Sequence, residues 1–477
     1  MSWFRFVVSF VALLVLINRN KIQAIADTVN GMGSKLACSL HFLQGRTIDD
    51  INANELAWPP ISPFITIKTL NESCLEARLW FAPFLGPRVA CLHESNRLGC
   101  VLIGRGRQAK DYVDSSMVDS RIGRGDDISD FAVREPFKKE LPEVESHFES
   151  PWFNSRAFLV VNASEFPAKI IVERYGKSFN SSMTQAGWSM SKSILAILIG
   201  ALLKSEDNNI FPEGLLSKIP LKDGANATLE QMLRMTDGMD WDESYTGLTD
   251  PVEMLFYHDR VGDPLKQRIT PGKCFQYSSK TSNVISAFIK SKFRSESAYL
   301  NHPTDLLLRP IGIQSARMET DPAKVFVSSS FTHMIPLDWV RLGVLLANKG
   351  IWPATGKRIM DESYVEKLSK ATKTSRGLYG MHFWLGGNNI SEHSTPDDDV
   401  CDKTYSVRTM MHGMFKWYEK LPKGSYFMTG FEGQILIILP KEKLVVLRMG
   451  ASRQMMPGWK EFDGLELYTP VINRILG

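Results

Sequence analysis

The sequence has little net charge and no strongly basic segment. The formal charge is +4, from 56 basic and 52 acidic residues. The most basic short segment, residues 104–110, holds only three cations and is followed by aspartates. Proteins that bind nucleic acid usually carry a basic patch or stripe. We therefore expect no nucleic-acid partner.

The sequence also lacks an apolar run long enough to span a bilayer, which takes about 20 residues. Residues 6–17 form an apolar run of twelve residues with one serine, which is typical of the core of a secretory signal. Ala24-Ile25-Ala26 resembles a signal-cleavage site. We predict that residues 1–26 are a signal peptide or an uncleaved signal-anchor. The protein is then secreted, or associated with a membrane through this segment, with the rest of the chain outside the cytosol. The alternative is a buried helix retained in the cytosol.

No two of the six cysteines have the Cys-x-x-Cys spacing of a zinc ribbon or a thioredoxin-type site. Four of the six, Cys38, Cys74, Cys91 and Cys100, fall within the first hundred residues. An oxidising compartment would permit disulfides there. We expect neither a metal nor a cofactor.

Predicted strands lie at both ends of the second part of the chain, with helical sequence between them. An α+β fold explains this order, because one sheet can assemble from both termini around a helical insertion. Residues 27–150 are predicted to be an N-terminal extension and linker, and residues 151–477 the main domain. Two hairpins and a C-terminal helix support this division; they are residues 156–161 with 168–176, residues 433–440 with 443–450, and residues 459–476.

The stretch GWSMSKSILAILIG, residues 187–200, places Ser189 and Lys192 at the start of an apolar run. A helix cap explains the serine but not a cation in the first turn. An esterase elbow needs Gly-x-Ser-x-Gly, and here Ser191 occupies the place of the second glycine. Residues three apart share a helix face, so Lys192 can act as the base of a Ser189 nucleophile. We favour this third interpretation.

Further motifs accompany this pair; they are LEQMLRMTDGMDWDESY, PGKCFQYSS, LLLRPIGIQSARME and YFMTGFEGQILIILP. Together with WSMSKS they resemble the serine β-lactamase and penicillin-binding-protein family, over about residues 152–477. The resemblance is closer to its class C-like branch, with family VIII carboxylesterases and 6-aminohexanoate-dimer hydrolases. It implies an antiparallel sheet flanked by helices, a helical subdomain, and a serine hydrolase acting on a small-molecule or peptide-like ester or amide.

The resemblance also implies roles for particular residues. Ser189 would be the acylated nucleophile, Lys192 would share its proton, and Tyr277 would be the second base and the acid. The backbone N–H groups of Ser189 and Phe431 would form the oxyanion hole. The substrate-side candidates are Tyr245, Ser279 and Gly430.

Two departures separate this chain from β-lactamases and penicillin-binding enzymes. The Lys-Thr-Gly element reads Met428-Thr429-Gly430, with Glu432 nearby, and the Tyr-x-Asn element reads Tyr277-Ser278-Ser279. Both argue against a β-lactamase or D-amino-acid peptidase. A non-catalytic binding or assembly module of the same fold is a further alternative. The segment DWDESY, with Trp241, Glu243 and Tyr245, is either a substrate-side loop or a helix-capping turn.

The N-terminal stretches ACSLHFLQGR and LGCVLIG resemble an extension of some bacterial relatives in which the two cysteines recur. On this resemblance we predict that Cys38 pairs with Cys100. Cys74 and Cys91 lie inside that loop and could pair with each other. Cys274 is expected to be a buried small residue rather than a reactive thiol.

Overall fold

The computed structural model describes residues 19–57, 61–93, 95, 97–108, 128–150, 152–205, 218–245, 247–387, 418–452 and 467–477. The apolar run at residues 6–17 and the start of the predicted C-terminal helix lie outside these ranges. The described strands are β1 (Ile65–Thr69), β2 (Cys74–Leu79), β3 (Arg88–Leu92), β4 (Cys100–Leu102), β5 (Ala132–Arg134), β6 (Ser155–Asn162), β7 (Ala168–Tyr175), β8 (Gln185–Ala186), β9 (Ile219–Pro220), β10 (Asn226–Ala227), β11 (Arg317–Met318), β12 (Thr332–Met334), β13 (Ile351–Trp352), β14 (Lys357–Arg358), β15 (Trp384–Leu385), β16 (Tyr426–Gly430), β17 (Gln434–Leu439) and β18 (Leu444–Gly450). The described helices are α1 (Arg19–Gln44), α2 (Ile48–Ala53), α3 (Pro142–Glu149), α4 (Met190–Lys204), α5 (Leu229–Leu233), α6 (Asp250–Phe256), α7 (Ser279–Lys290), α8 (Glu296–Pro303), α9 (Pro336–Ala347), α10 (Glu362–Leu368) and α11 (Tyr468–Leu476).

The main sheet has seven strands in the order β15-β16-β17-β18-β6-β7-β5. Both predicted hairpins are present, as the antiparallel pairs β6–β7 and β17–β18. Strand β5 runs parallel to β7 at one edge. It comes from the section that we assigned to the N-terminal extension and linker, so that section contributes a strand to the main sheet. The α+β fold class is confirmed.

Both faces of this sheet are covered, which is why β17 and β18 are buried along their whole length. Side chains alternate between the faces of a strand. Leu159 and Val161 of β6 belong to a core shared with α4 and α9. Phe158 and Val160 belong to a second core shared with α3 and α11. The helix α4 has no extended polar face, and it is buried from Met190 to Leu202.

The N-terminal section forms a four-stranded sheet, β1-β2-β3-β4, crossed by α1. A Cβ on Gly33 would lie 2.4 Å from Ile65 Cδ1, so glycine allows this helix to approach the sheet closely. The predicted boundary after residue 26 falls inside α1, which is one helix from Arg19 to Gln44. Lys35 of α1 forms a buried ion pair with Glu319 of the main domain. The section therefore docks onto the main domain as well as packing on itself.

Two disulfides lie within the N-terminal section, Cys38–Cys100 and Cys74–Cys91. Both match the pairings considered from the sequence. None of the cysteines among the described residues carries a free thiol, and Cys274 is buried as expected. Disulfides persist in oxidising compartments, which favours a location outside the cytosol. No helix in the described parts of the chain combines the length and the apolar character needed to cross a bilayer.

Candidate active site

The turn between β8 and α4 presents Ser189. Gly187 passes so close to the Trp339 ring that a Cβ there would lie 2.3 Å from it. Trp188 has a φ of +48°, a left-handed conformation that is uncommon for a bulky residue. Ser189 is the N-cap of α4, yet its side chain makes no capping hydrogen bond. The helix-cap interpretation therefore does not explain this serine, and its hydroxyl is directed to other partners.

Lys192 is buried one turn into α4. Its Nζ donates hydrogen bonds to Ser189 Oγ, Ser279 Oγ and the Ser329 carbonyl oxygen, each at 3.0 Å. These three acceptors match the three protons of an ammonium group. Burial lowers the pKa of Lys192 to about 8, although the charge of Glu243 acts in the opposite direction. A buried amine with this pKa can exchange its proton near neutral pH.

Tyr277 lies against the same amine, with Lys192 Nζ 4.9 Å from the centre of its ring. Burial, followed by the charge of Glu243, raises the pKa of Tyr277, while a hydrogen bond with Ser189 acts in the opposite direction. The ring packs beside Trp384 and Tyr379, at centroid distances of 5.3 and 6.0 Å. These contacts fix the orientation of the phenol beside Ser189.

The end of strand β16 approaches the turn that carries Ser189. A Cβ on Gly430 would lie 2.1 Å from the Gly187 carbonyl oxygen and 3.2 Å from Ser189 N. The next residues turn sharply, and Glu432 has a φ of +62°. The Glu432 carbonyl oxygen accepts a hydrogen bond from the buried Arg448 guanidinium at 3.0 Å. The segment that carries Phe431 is thus fixed beside the Ser189 backbone.

Ser279 links Lys192 to a buried carboxylate. Ser278 caps α7 by accepting a hydrogen bond from Thr281 N, which leaves the Ser279 hydroxyl directed at the site. Ser279 accepts from Lys192 and donates to Glu243 Oε1. Glu243 also accepts from Ser279 N at 2.7 Å and from the Tyr245 hydroxyl at 2.9 Å.

The segment DWDESY therefore faces the site. Trp241 Nε1 donates to Glu243 Oε2 at 2.6 Å, so both aromatic neighbours of the carboxylate bind it. Glu243 was named from the sequence but was not connected with Lys192. The spacing Trp-x-Glu-x-Tyr was the available signal, since alternate residues of an extended segment share a side.

Three half-buried aromatic side chains border Ser189. The Trp188 and Phe431 rings meet edge to face at 5.9 Å, and the Tyr245 and Phe431 rings lie 6.3 Å apart. Only Tyr245 was predicted as a substrate-side residue. Together the three rings form a largely apolar wall beside Ser189.

A histidine-based triad is not formed around Ser189 in the described residues. His382 is buried, and its ring nitrogens contact the Leu233 carbonyl and Ser282 Oγ. Burial lowers its pKa to about 3, so this ring is neutral in solution near pH 7. Within the described ranges, no group of three or more histidine, cysteine and acidic side chains is arranged to hold a metal ion.

Solved structures of similar fold include a protein assigned as a 6-aminohexanoate-dimer hydrolase from Bacillus anthracis. It is 18% identical, with a TM-score of 0.49, and the match covers 71% of this chain and 82% of that one. A family VIII carboxylesterase is 12% identical, with a TM-score of 0.47 and coverages of 71% and 98%. A β-lactamase from Mycobacterium bovis is 13% identical, with a TM-score of 0.44 and coverages of 70% and 98%.

The matching structures thus have the fold that the sequence motifs predicted. No protein-family model matches the sequence, and no curated protein sequence is detectably similar to it. At these identities and TM-scores the matches carry no information about chemistry.

Proposed function

We propose that the protein is a serine hydrolase that cleaves ester or amide bonds through an acyl-enzyme on Ser189. The observation that carries the proposal is the position of Lys192 Nζ, 3.0 Å from Ser189 Oγ, in a buried site that lowers its pKa to about 8. A hydroxyl is a weak nucleophile unless a base takes its proton, and the best base has a pKa near the working pH.

In the first step, neutral Lys192 accepts the Ser189 proton as Oγ forms a bond to the substrate carbonyl carbon. The electron pair of the C=O bond moves to the oxygen, and the N–H groups of Ser189 and Phe431 donate to it. The intermediate then breaks the bond to the leaving group, which takes a proton from the Tyr277 hydroxyl. Tyr277 regains a proton from Lys192. Water then forms a bond to the acyl carbon, and its proton passes through Tyr277 to neutral Lys192. The second intermediate breaks the bond to Ser189 Oγ, which takes the proton back from Lys192 as the acid is released.

The proposed substrate has a neutral, apolar group next to the scissile carbonyl. Trp188, Tyr245 and Phe431 supply an apolar wall, and aromatic walls favour apolar substrate groups. Met428 takes the place of the lysine that binds a substrate carboxylate in β-lactamases, so this strand offers no cation there for a substrate carboxylate. This argues against β-lactam and D-alanyl peptide substrates.

The test is covalent labelling with a fluorophosphonate and hydrolysis of short-chain aryl esters. We expect both in the wild-type protein and neither in Ser189→Ala, because the loss of a nucleophile removes several orders of magnitude in rate. Ser191→Ala is the matched control, because Ser191 Oγ accepts a hydrogen bond from Thr332 N, whereas Lys192 Nζ donates to Ser189, Ser279 and Ser329. Equal labelling of wild type and Ser189→Ala would refute the proposal and favour a non-catalytic module.

A further inference from the structure

Glu243 is a buried carboxylate held by neutral groups. It is 2% exposed. Its hydrogen-bond donors are the Trp241 indole, the Tyr245 hydroxyl, and the backbone N–H and hydroxyl of Ser279. A buried charge is expensive unless an opposite charge or several donors compensate it. Four donors explain how the charge is tolerated, and they do not explain why a carboxylate is present.

The opposite charge that Glu243 faces is Lys192, one hydroxyl away. Lys192 Nζ donates to Ser279 Oγ at 3.0 Å, and Ser279 Oγ in turn donates to Glu243 Oε1. The direction of both bonds is fixed, because an ammonium can only donate and a carboxylate can only accept. The amine and the carboxylate therefore polarise the same hydroxyl from its two sides.

We propose that Glu243 is the positioning residue that sets the charge state of Lys192, acting across the Ser279 hydroxyl. This inference rests on the proposed function of Lys192 as the base. Without the carboxylate, burial alone would lower the pKa of Lys192 further, and at neutral pH a larger fraction of the molecules would lack the ammonium that holds Ser189, Ser279 and Ser329 in place. With it, the ammonium persists at rest and can still release its proton when the substrate binds.

The other titratable groups around Lys192 do not supply the negative charge that would stabilise its ammonium. Tyr277 and Tyr245 are neutral phenols, because burial raises the pKa of each. Tyr379 is likewise kept neutral by burial. His382 is uncharged near pH 7. Asp237 binds Thr281 Oγ1 and Met239 N instead.

The inference is tested by the protonation midpoint of Lys192, read from ¹³Cε-lysine NMR on the intact protein. The Lys192 signal is assigned by its absence in Lys192→Met. We expect a midpoint of about 8 in the wild type. Glu243→Gln should lower it by about one pH unit or more, because an opposite charge at this range favours the charged amine. Glu243→Asp, which keeps the charge, should restore most of the shift.

The matched control is Glu319→Gln. Glu319 is also a buried carboxylate, but it binds Lys35 and Ser39 of α1. Its substitution should leave the Lys192 midpoint unchanged. If Glu243 only stabilises the conformation of its loop, Glu243→Gln should lower the free energy of unfolding and leave the Lys192 midpoint unchanged. That result overturns the inference.

The labelling rate of Ser189 against pH separates this inference from the proposed function. If both hold, the acidic limb of the rate profile moves to lower pH in Glu243→Gln by as much as the NMR midpoint. A shifted midpoint in a protein that fluorophosphonate never labels would sustain the inference and refute the hydrolase. If Glu243→Gln does not fold, Ser279→Ala decides, since it removes the connecting hydroxyl; an unchanged midpoint there overturns the inference.

Discussion

Gly430→Ala is the substitution whose consequence follows most directly from the geometry. The added Cβ would lie 2.1 Å from the Gly187 carbonyl oxygen, and such contacts under 3.0 Å are essentially never found in proteins. The φ of Gly430 is −135°, an extended conformation that alanine adopts readily. The perturbation is therefore a steric one between β16 and the turn that carries Ser189, with no backbone strain of its own.

The expected loss of rate follows from how far the two backbone segments must move apart to make room for the added Cβ. Strand β16 and the turn have to separate by about 1 Å, which would move Phe431 away from the Ser189 backbone. A misplacement of about 1 Å in a site that positions reacting groups costs roughly 100-fold in rate. We expect the rate of fluorophosphonate labelling of Ser189 to fall by about that factor.

Gly424→Ala is the matched control. Gly424 lies in the turn before β16, and a Cβ there meets nothing within 4 Å, but its φ is +86°. Alanine at this φ should lower the free energy of unfolding by about 1 kcal/mol without moving the site. Labelling rates are compared at a temperature where thermal unfolding shows every variant folded. A folded Gly430→Ala protein that labels within about threefold of the wild-type rate would refute the assignment of this strand to the oxyanion hole.

Further predictions concern the base, the pH dependence and the disulfide. Lys192→Met and Tyr277→Phe should each reduce aryl-ester hydrolysis by orders of magnitude, and the double variant should lose far less than the product of the single losses, because the groups act together; multiplicative losses in a double-mutant cycle would contradict this. The labelling rate of wild-type Ser189 should rise with pH through about 8, since the neutral amine is the active form, and a flat profile would contradict it. The pKa of Lys192 is lower in the folded protein than in the unfolded chain, so below about pH 8 the buried ammonium lowers the free energy of unfolding. This penalty disappears as the pH rises from about 8 towards 10.5, the ordinary pKa of lysine in the unfolded chain. Lys192→Met should therefore be about 1 kcal/mol or more stabler than wild type at pH 7, but not at pH 10.5, in guanidinium titrations. Replacing both Cys38 and Cys100 by serine opens a loop with a sequence separation of 62 and should lower the free energy of unfolding by about 4 kcal/mol, with the labelling rate per folded molecule unchanged.

The core of the site was predictable where local rules apply. Ser189 and Lys192 are three residues apart at the start of an apolar helix, and helical geometry alone brings such residues together. The two hairpins were predictable from alternation and from their short connections. Tyr277 and Ser279 lie far along the chain, so no local rule could place them. Their position came from the resemblance of whole motifs.

The contact of Glu243 with Ser279 and the length of α1 were not predictable from sequence, although the Trp-x-Glu-x-Tyr spacing places Glu243 on one side of its segment with two aromatic residues. An acidic residue between two aromatics is ordinary in a turn, and only the folded chain brings Glu243 to the far side of the Ser279 hydroxyl. Helix α1 is rich in small and polar residues, so its buried face has no apolar stripe for a periodicity argument to detect. Gly31 shows why the face is small: a Cβ there would lie 2.2 Å from the Phe256 carbonyl oxygen.

The most direct test of the proposed chemistry is to trap the acyl-enzyme with a substrate rather than an inhibitor. The protein is mixed with an activated aryl ester, quenched in acid within the first turnovers, and examined by intact-protein and peptide mass spectrometry. We expect one added acyl group per molecule, located on Ser189 and absent from Ser189→Ala. Ester hydrolysis without any adduct, or an adduct on a residue other than Ser189, would contradict the proposal that Ser189 is an acylated nucleophile activated by Lys192.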